Sequence, residues 1–161
     1  GILNAHEIAM ASPRIVALGL GSEDFATDVD CIRDEDNVSI QIPRQNVVFA
    51  ARSVGAIPVD TPHVNVHDLD GLEKHVKQAR TLGFGGMQIL SPKEIEICHK
   101  YYTPSDEEAK AAYELVEMYQ EAEKHNDGVS VSKGRFVSPP TYKRALQLIE
   151  NYERIKAFEQ L

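Results

Sequence analysis

The chain has 161 residues and a net charge of −8, with 42% hydrophobic and 26% charged residues. That is enough for one domain with a sizeable core, and the composition is globular rather than disordered. Acidic residues spread along the chain argue against nucleic acid and anionic membrane as partners; no apolar run is long enough to span a bilayer and no signal peptide is evident. Cys31 and Cys98 stand alone with no CxxC pair, which predicts reduced thiols, a cytoplasmic protein and no structural zinc site.

In chain order, Asn4 to Ala11 reads as a short helix that Ser12-Pro13 breaks, and Ile15 to Leu20 as a buried strand. Asp28 to Asn37 is polar and acidic, so it is expected to loop over the strand end. Pro43 suits the first position of a helix; Val47, Val48, Ala51 and Val54 follow at helical spacing until Gly55. Ala56 to Val59 is a short strand ending at Asp60-Thr61-Pro62. Leu69, Leu72, Val76 and Ala79 mark an amphipathic helix closed by Gly83, and Gly86 to Leu90 is a third strand. Ser91-Pro92-Lys93-Glu94 reads as an N-cap, a proline at the first helical position and a capping-box glutamate. Thr103-Pro104 is expected to cap a long helix through about Lys124, with Ala109, Ala112, Val116 and Tyr119 on one face. Val129 to Val131 and Arg135 to Val137 suggest a hairpin across Lys133-Gly134. Ser138-Pro139 then opens a last helix carrying Tyr142, Ala145, Ile149 and Tyr152.

Strands alternating with helices predict an α/β fold with parallel strands and crossover helices. A flavodoxin-like open sheet and a piece of a (β/α)8 barrel both fit, although three strands are few for either. The tail lies outside this repeat and carries an apolar face, for packing either on a neighbouring subunit or on its own domain.

Chemistry in such folds collects at the carboxyl ends of the strands. The stretch Leu18-Gly19-Leu20-Gly21-Ser22-Glu23-Asp24-Phe25 places two glycines and two adjacent acids there. Glycine lets backbone approach a ligand, and Asp24 can offer oxygen to a hard cation such as Mg²⁺. The same acids would also suit the start of a helix. Asp60 ends the next strand and is either a pocket residue or a partner for backbone in its own turn. His63 and His67 lie near that strand end. Glu96 and His99 have ligand-pair spacing on a helix, but a solvated face explains them better. Gly19-x-Gly21 lacks the third glycine of a dinucleotide site.

Taken in order, the segments resemble a known family. Gly21-Ser22-Glu23-Asp24-Phe25 with Asp28 is similar to its G-[AS]-E-D-[LF]-x-x-D run, Ala50-Ala51-Arg52 with Gly55 to its AAR-x-x-G helix end, and Ile57-Pro58-Val59-Asp60-Thr61 to its A-I-D-T strand. Asp68-Leu69-Asp70-Gly71-Leu72, Leu82-Gly83-Phe84-Gly85-Gly86 and Tyr102-Thr103-Pro104-Ser105 continue the series. The family is the citrate lyase β subunit and its relatives, the HpcH/HpaI aldolase superfamily. The resemblance implies a (β/α)8 TIM barrel, of which this chain would be the carboxyl-terminal half, residues 1–102, followed by a helical appendage, 103–161, that serves as an oligomer contact. It implies a divalent-metal-dependent carbon–carbon lyase or aldolase. The substrate would be an oxo or hydroxy acid, or its coenzyme A thioester, converted through a metal-stabilised enolate. Asp24 would be the metal ligand for Mg²⁺ or Mn²⁺, with a second, glutamate ligand upstream of Gly1. The backbone N–H groups of Ser22, Glu23 and Asp24 would face the substrate carboxylate across Gly21. Glu23 would orient the loop or hold metal-bound water, and Asp60 would border the pocket. Expected partners are the amino-terminal half of the barrel, on the same or a separate chain, and further copies in a trimer or hexamer.

Four positions depart from the family pattern. Met87 and Ser91 replace the lysine and histidine of a G-K-x-x-I-H-P run, Ser138 replaces an aspartate, and Asp30 stands where glycine is common. A hydroxyl cannot act as a general base without its own activator, so these changes bear on thioester chemistry and motivate an alternative: a catalytically degenerate subunit or binding module of the same fold.

Overall fold

A computed structural model describes residues 1–34, 36–124, 130–132 and 135–160. The described chain forms two compact units, Gly1–Tyr102 and Thr103–Leu161. Among the described residues no helix is long and apolar enough to cross a membrane.

In the first unit a 3₁₀ turn, Ile2–Asn4, leads into α1 (Ala5–Met10), followed by β1 (Ala17–Gly19), α2 (Ser22–Val29), α3 (Gln41–Ser53), β2 (Ile57–Asp60), α4 (Leu69–Leu82), β3 (Gly86–Met87), a second 3₁₀ turn (Pro92–Glu94) and α5 (Ile95–Tyr102). The strands form one parallel sheet in the order β1-β2-β3. Gly19, Val59 and Gly86 share one row of the register, and Asp60 pairs with Met87 in the next. Successive residues of a strand point to opposite faces. Leu20, Pro58, Asp60 and Met87 lie on the helix-covered face; Leu20 belongs to the core cluster with Ile40, Val47, Val48, Ala79 and Phe84, against which Met87 packs. Ala17, Gly19, Ile57, Val59 and Gly86 therefore occupy the other face.

Burial follows the expected helical period. Leu72, Val76 and Ala79 of α4 are at most 1% exposed, whereas Leu69 at its start is open. Burying a leucine or valine of this kind stabilises by about 1.5–3 kcal/mol. The Asp68 carboxylate accepts from Gly71 N at 2.9 Å and caps α4. Gly83 ends it at φ +102°, a left-handed conformation that strains any other side chain.

The structure departs from the expected boundaries in physically legible ways. An additional helix, α2, occupies the start of the predicted loop and takes in Asp28. Glu23 and Asp24 sit in its first turn, where the helix dipole favours acids. Pro43 lies two residues inside α3, still within the first turn, whose N–H groups have no intrahelical acceptor to lose. Strands β1 and β3 are shorter than the apolar runs that announced them. Glu94 Oε2 accepts from Leu90 N at 2.9 Å, so it fastens the chain just ahead of the cap residue Ser91.

The second unit contains α6 (Asp106–Lys124), an antiparallel pair β4 (Ser130–Ser132) and β5 (Arg135–Val137), and α7 (Pro139–Glu159). The predicted turn at Lys133-Gly134, and Val129, lie outside the described residues. The cap of α6 falls at Ser105, not at Thr103: Glu108 N donates to Ser105 Oγ at 3.1 Å and Ser105 N to Glu108 Oε2 at 2.9 Å. Ala112, Ala145 and Ile149 form the seam between α6 and α7, and Tyr119 stacks on Tyr142 with ring centroids 4.3 Å apart. The apolar faces of these two helices thus cover each other.

Candidate active site

Strand β1 hands the chain directly to α2 through Leu20 and Gly21, so Ser22, Glu23 and Asp24 are the first three residues of that helix. Their N–H groups have no carbonyl one turn earlier to bond, and they carry the positive end of the helix dipole. The Asp24 side chain folds back over Gly21: a methyl group on Gly21 would lie 2.8 Å from Asp24 Oδ2. A larger residue at position 21 would push that carboxylate out of its place. The two sequence-level readings, helix start and ligand-facing acid, thus coincide at Asp24. An open cleft of about 330 Å³ runs along β1, from Ile2 and Ile8 past Leu18 and Gly19 to Gly21 and Asp24.

Arg33 ties this corner together. Its guanidinium donates to Ser22 Oγ, to Glu23 Oε1 at 2.6 Å and to Asn37 Oδ1 at 3.0 Å. Ser22 Oγ also meets Thr61 Oγ1 at the end of β2. The serine hydroxyl is buried and occupied, so Ser22 offers a ligand its backbone rather than its side chain. Both acids are exposed, but Glu23 is ion-paired to Arg33, which leaves Asp24 as the carboxylate not engaged by that cation.

Asp60 is placed differently from a pocket acid. It is fully buried, Arg44 Nε donates to Oδ1 at 3.0 Å and Arg44 Nη2 to Oδ2 at 2.5 Å. Thr61 N donates to Oδ1 at 2.9 Å, and His75 Nε2 stands 3.4 Å from Oδ2. A carboxylate has about four acceptor directions, and these neighbours take them up. Burial alone would raise the Asp60 carboxyl; the hydrogen bonds and charges of His75 and Arg44 outweigh it and hold the group below its usual range. The structure therefore gives Asp60 the backbone-bonding reading together with a buried ion pair, on the helix-covered side of the sheet. Of the five candidates, Gly21, Ser22, Glu23 and Asp24 converge and Asp60 stands behind them.

Around Asp60 lies a second polar group. His75 and Glu94 are buried, His63 is half-buried, and His63 and His75 pack edge-on at 5.9 Å. Burial, with His75 alongside, holds His63 below the usual imidazole range. Glu94 Oε1 and the Tyr102 hydroxyl have no hydrogen-bond partner among the described residues, and burial raises the Tyr102 phenol. His67 is exposed.

Arg33, Arg44 and Thr61 are functional neighbours that the sequence did not announce. Arg33 sits in a polar run and Arg44 beside a helix-opening proline, so nothing local marks either one as a partner of an acid at a strand end. The one available signal was stoichiometric: an acid closing an apolar strand needs a cation once it is buried.

No group of three or more His, Cys, Asp or Glu side chains converges as a metal cage among the described residues. Mg²⁺ does not demand one, since it takes one or two carboxylates and completes its shell with water and substrate. A single exposed carboxylate beside free helix N–H groups fits that donor set in part.

The HpcH/HpaI aldolase/citrate lyase family model matches residues 1–92. The citrate lyase subunit beta of Leuconostoc mesenteroides subsp. cremoris is 31% identical over 93% of this chain and 50% of its own length. A (3S)-malyl-CoA thioesterase of Cereibacter sphaeroides is 32% identical over 98% of this chain and 55% of its own. In fold, the chain is similar to protein CitE from Mycobacterium tuberculosis in complex with magnesium, acetoacetate and coenzyme A. That match has a TM-score of 0.74 and 24% identity, over 95% of this chain and 57% of that one. The chain spans about half the length of the curated relatives it matches. With the family model covering more than half of the chain, and its strand-end acids set at the start of α2, the chain belongs to the HpcH/HpaI aldolase/citrate lyase family.

Proposed function

We propose that this chain is the carboxyl-terminal half of a (β/α)8 barrel enzyme, a divalent-metal-dependent carbon–carbon lyase or aldolase acting on an oxo or hydroxy acid or its coenzyme A thioester. The observation that carries the reading is Asp24, held over Gly21 at the carboxyl end of β1 with its neighbour Glu23 already paired to Arg33. Asp24 would hold Mg²⁺ or Mn²⁺, with a second carboxylate supplied by the other half of the barrel, on the same or a separate polypeptide. Bound there, the cation supplies Lewis-acid polarisation of a carbonyl. The chain's own groups do the rest. Gly21 lets the acid approach the backbone, and the N–H groups of Ser22 and Glu23 receive its carboxylate. Arg33 offsets the charge of Glu23, so that two adjacent anions do not repel the incoming one. Asp60 acts at a distance, by fixing Thr61, whose hydroxyl meets that of Ser22. The two thiols, free in the structure, suit a cytoplasmic enzyme. Residues 103–161 would contact neighbouring copies in a trimer or hexamer.

A second reading rests on Met87. Where relatives carry lysine, this side chain packs against the apolar core, and a degenerate subunit would tolerate that. Calorimetric titration of the protein with Mg²⁺ separates the two. Binding in the millimolar range that is lost in Asp24→Asn supports the enzyme; an Asp24→Asn protein that binds Mg²⁺ like the parent refutes it.

A further inference from the structure

Behind the acid corner, where β2 and β3 end, the fold buries a set of ionisable groups that the proposed chemistry does not use. His75 of α4 is 3% exposed. Its Nε2 stands 3.4 Å from Asp60 Oδ2, at the outer edge of hydrogen bonding, and its Nδ1 has no partner among the described residues. His63, in the turn after β2, meets the His75 ring edge-on at 5.9 Å and points outward to Asp68, whose Oδ2 lies 3.7 Å from its Nε2. The two rings thus join a fully buried carboxylate, Asp60, to a half-exposed one, Asp68. Glu94 completes the set. It is 1% exposed, and its Oε2 accepts from Leu90 N while Oε1 has no partner. Among the described residues no cation lies within ion-pair distance of it.

Arg44 already neutralises Asp60, whereas buried Glu94 has no counter-charge, and an uncompensated buried charge is costly. One proton held on the nearby imidazoles removes that cost. A second is disfavoured, because adjacent imidazolium rings repel each other. At His63, burial and His75 oppose a proton, while Asp68 and Glu94 favour it. The other charged or titratable groups around the pair are Asp60 from β2, Arg44 from α3, Arg33 from the loop before α3, and Cys98 and Tyr102 from α5.

Asp60 connects this set to the corner. Its Oδ1 accepts from Thr61 N at 2.9 Å, and the Thr61 hydroxyl meets that of Ser22, the first residue of α2. A proton on His75 turns its contact with Oδ2 into a charge-assisted bond and draws the carboxylate away from Thr61. We propose that His75 is a positioning residue for the Ser22–Asp24 corner: with His63 and Glu94 it holds one exchangeable proton, and the place of that proton sets how firmly Asp60 holds Thr61 and, through Thr61, Ser22. The consequence for a bound acid rests on the reading of the corner as the acid site; the proton link itself does not.

The test is an NMR titration of the full chain between about pH 8 and about pH 5, where imidazoles change charge, with neither metal nor acid present. It follows the ring signals of His63 and His75 and the amide signals of Ser22 and Thr61. Both amides are expected to move with the midpoint of His75, that of Thr61 upfield as its hydrogen bond lengthens in acid. His75→Gln keeps a donor for Asp60 and removes the titrating group. Both amides should then lose the step, and the His63 midpoint should rise, since a neighbouring positive charge is gone. Glu94→Gln keeps an acceptor for Leu90 N and should move the common midpoint down, because the imidazoles lose a nearby anion. This second variant decides the matter where His75→Gln does not fold. The proposal is overturned by a His75 ring that does not titrate in this range, by amides that stay flat while it does, by a step that survives in His75→Gln, or by a midpoint that Glu94→Gln leaves unmoved. A merely structural His75 would alter stability and give no common midpoint. With no metal or acid in the sample, none of these outcomes bears on the metal-and-acid reading.

Discussion

Replacing Arg44 by methionine keeps most of the aliphatic stem and deletes the guanidinium. That group makes two bonds to Asp60, a third to Gln78 Oε1 at 2.7 Å, and lies 5.7 Å from the centre of the Phe84 ring. Both members of the ion pair are fully buried. In Arg44→Met the Asp60 carboxylate keeps only Thr61 N–H and His75, in surroundings that otherwise disfavour charge. Breaking a buried pair by removing one partner typically costs about 3–5 kcal/mol, a large share of the 5–15 kcal/mol that holds most domains folded. At a urea slope near 2 kcal/mol/M, the midpoint of the first unit should fall by roughly 1.5–2.5 M. Denaturation followed by circular dichroism, with hydrogen exchange at the β2 amides, reads this directly. Replacing both charges, as in Arg44→Met with Asp60→Leu, should recover much of the loss, because no bare charge remains. The pH dependence has a definite sign. The folded carboxyl of Asp60 is held below its ordinary 3.8, so its contribution is complete above that value and disappears as pH falls through the folded value. A loss below 1 kcal/mol in Arg44→Met, or a double variant no better than the sum of the singles, would refute the reasoning.

Four further outcomes are expected. Leu72→Ala removes a side chain only 1% exposed from beneath α4 and should cost about 2–5 kcal/mol in chemical denaturation. Ser22→Ala strips Thr61 and Arg33 of a shared partner in a buried corner and should cost about 1–3 kcal/mol. His63 is held below 6.5 by burial, so the unfolded chain takes up a proton first; stability should decline as pH drops below about 6.5, and His63→Gln should flatten that limb of a stability–pH curve. Glu73 accepts from the Tyr101 hydroxyl, which with Lys77 holds its carboxyl at about 2; in Tyr101→Phe a carbon-detected NMR titration should find Glu73 moved back toward 4.5.

The alternation of strands and helices was readable because apolar runs, glycines and prolines are local signals. Leu72, Val76 and Ala79 are as buried as their spacing demanded, and the acids after Gly21 stand where a strand-end site would put them. The start of α2 at Glu23 and Asp24 was one of two readings the acids allowed, but its extent was illegible because Ser22–Val29 is short and carries only Phe25, Ala26 and Val29 as apolar residues, too little to distinguish a helix from the loop that follows. The interior role of Arg44 was hidden for a different reason. Apolar periodicity places charge on the outside, and only a partner sixteen residues away, brought round by the α3–β2 turn, makes burial of a guanidinium tolerable. The meeting of His63 with His75 depends on how the turn after β2 folds onto α4, a relation that no single segment carries.

The row formed by Gly19, Val59 and Gly86, with Ala17 and the 43%-exposed Ile57 below it, has a calorimetric consequence. Any structure laid on this face removes apolar surface from water, and every 100 Å² so covered lowers the heat capacity by about 45 cal/mol/K. Completion of the interior, whether by protein or by a ligand's hydrocarbon portion, therefore has a thermal signature that polar contacts at the Asp24 corner do not share. Polar burial changes heat capacity in the opposite sense. The temperature dependence of the binding enthalpy thus distinguishes occupation of the sheet face from occupation of the acidic corner.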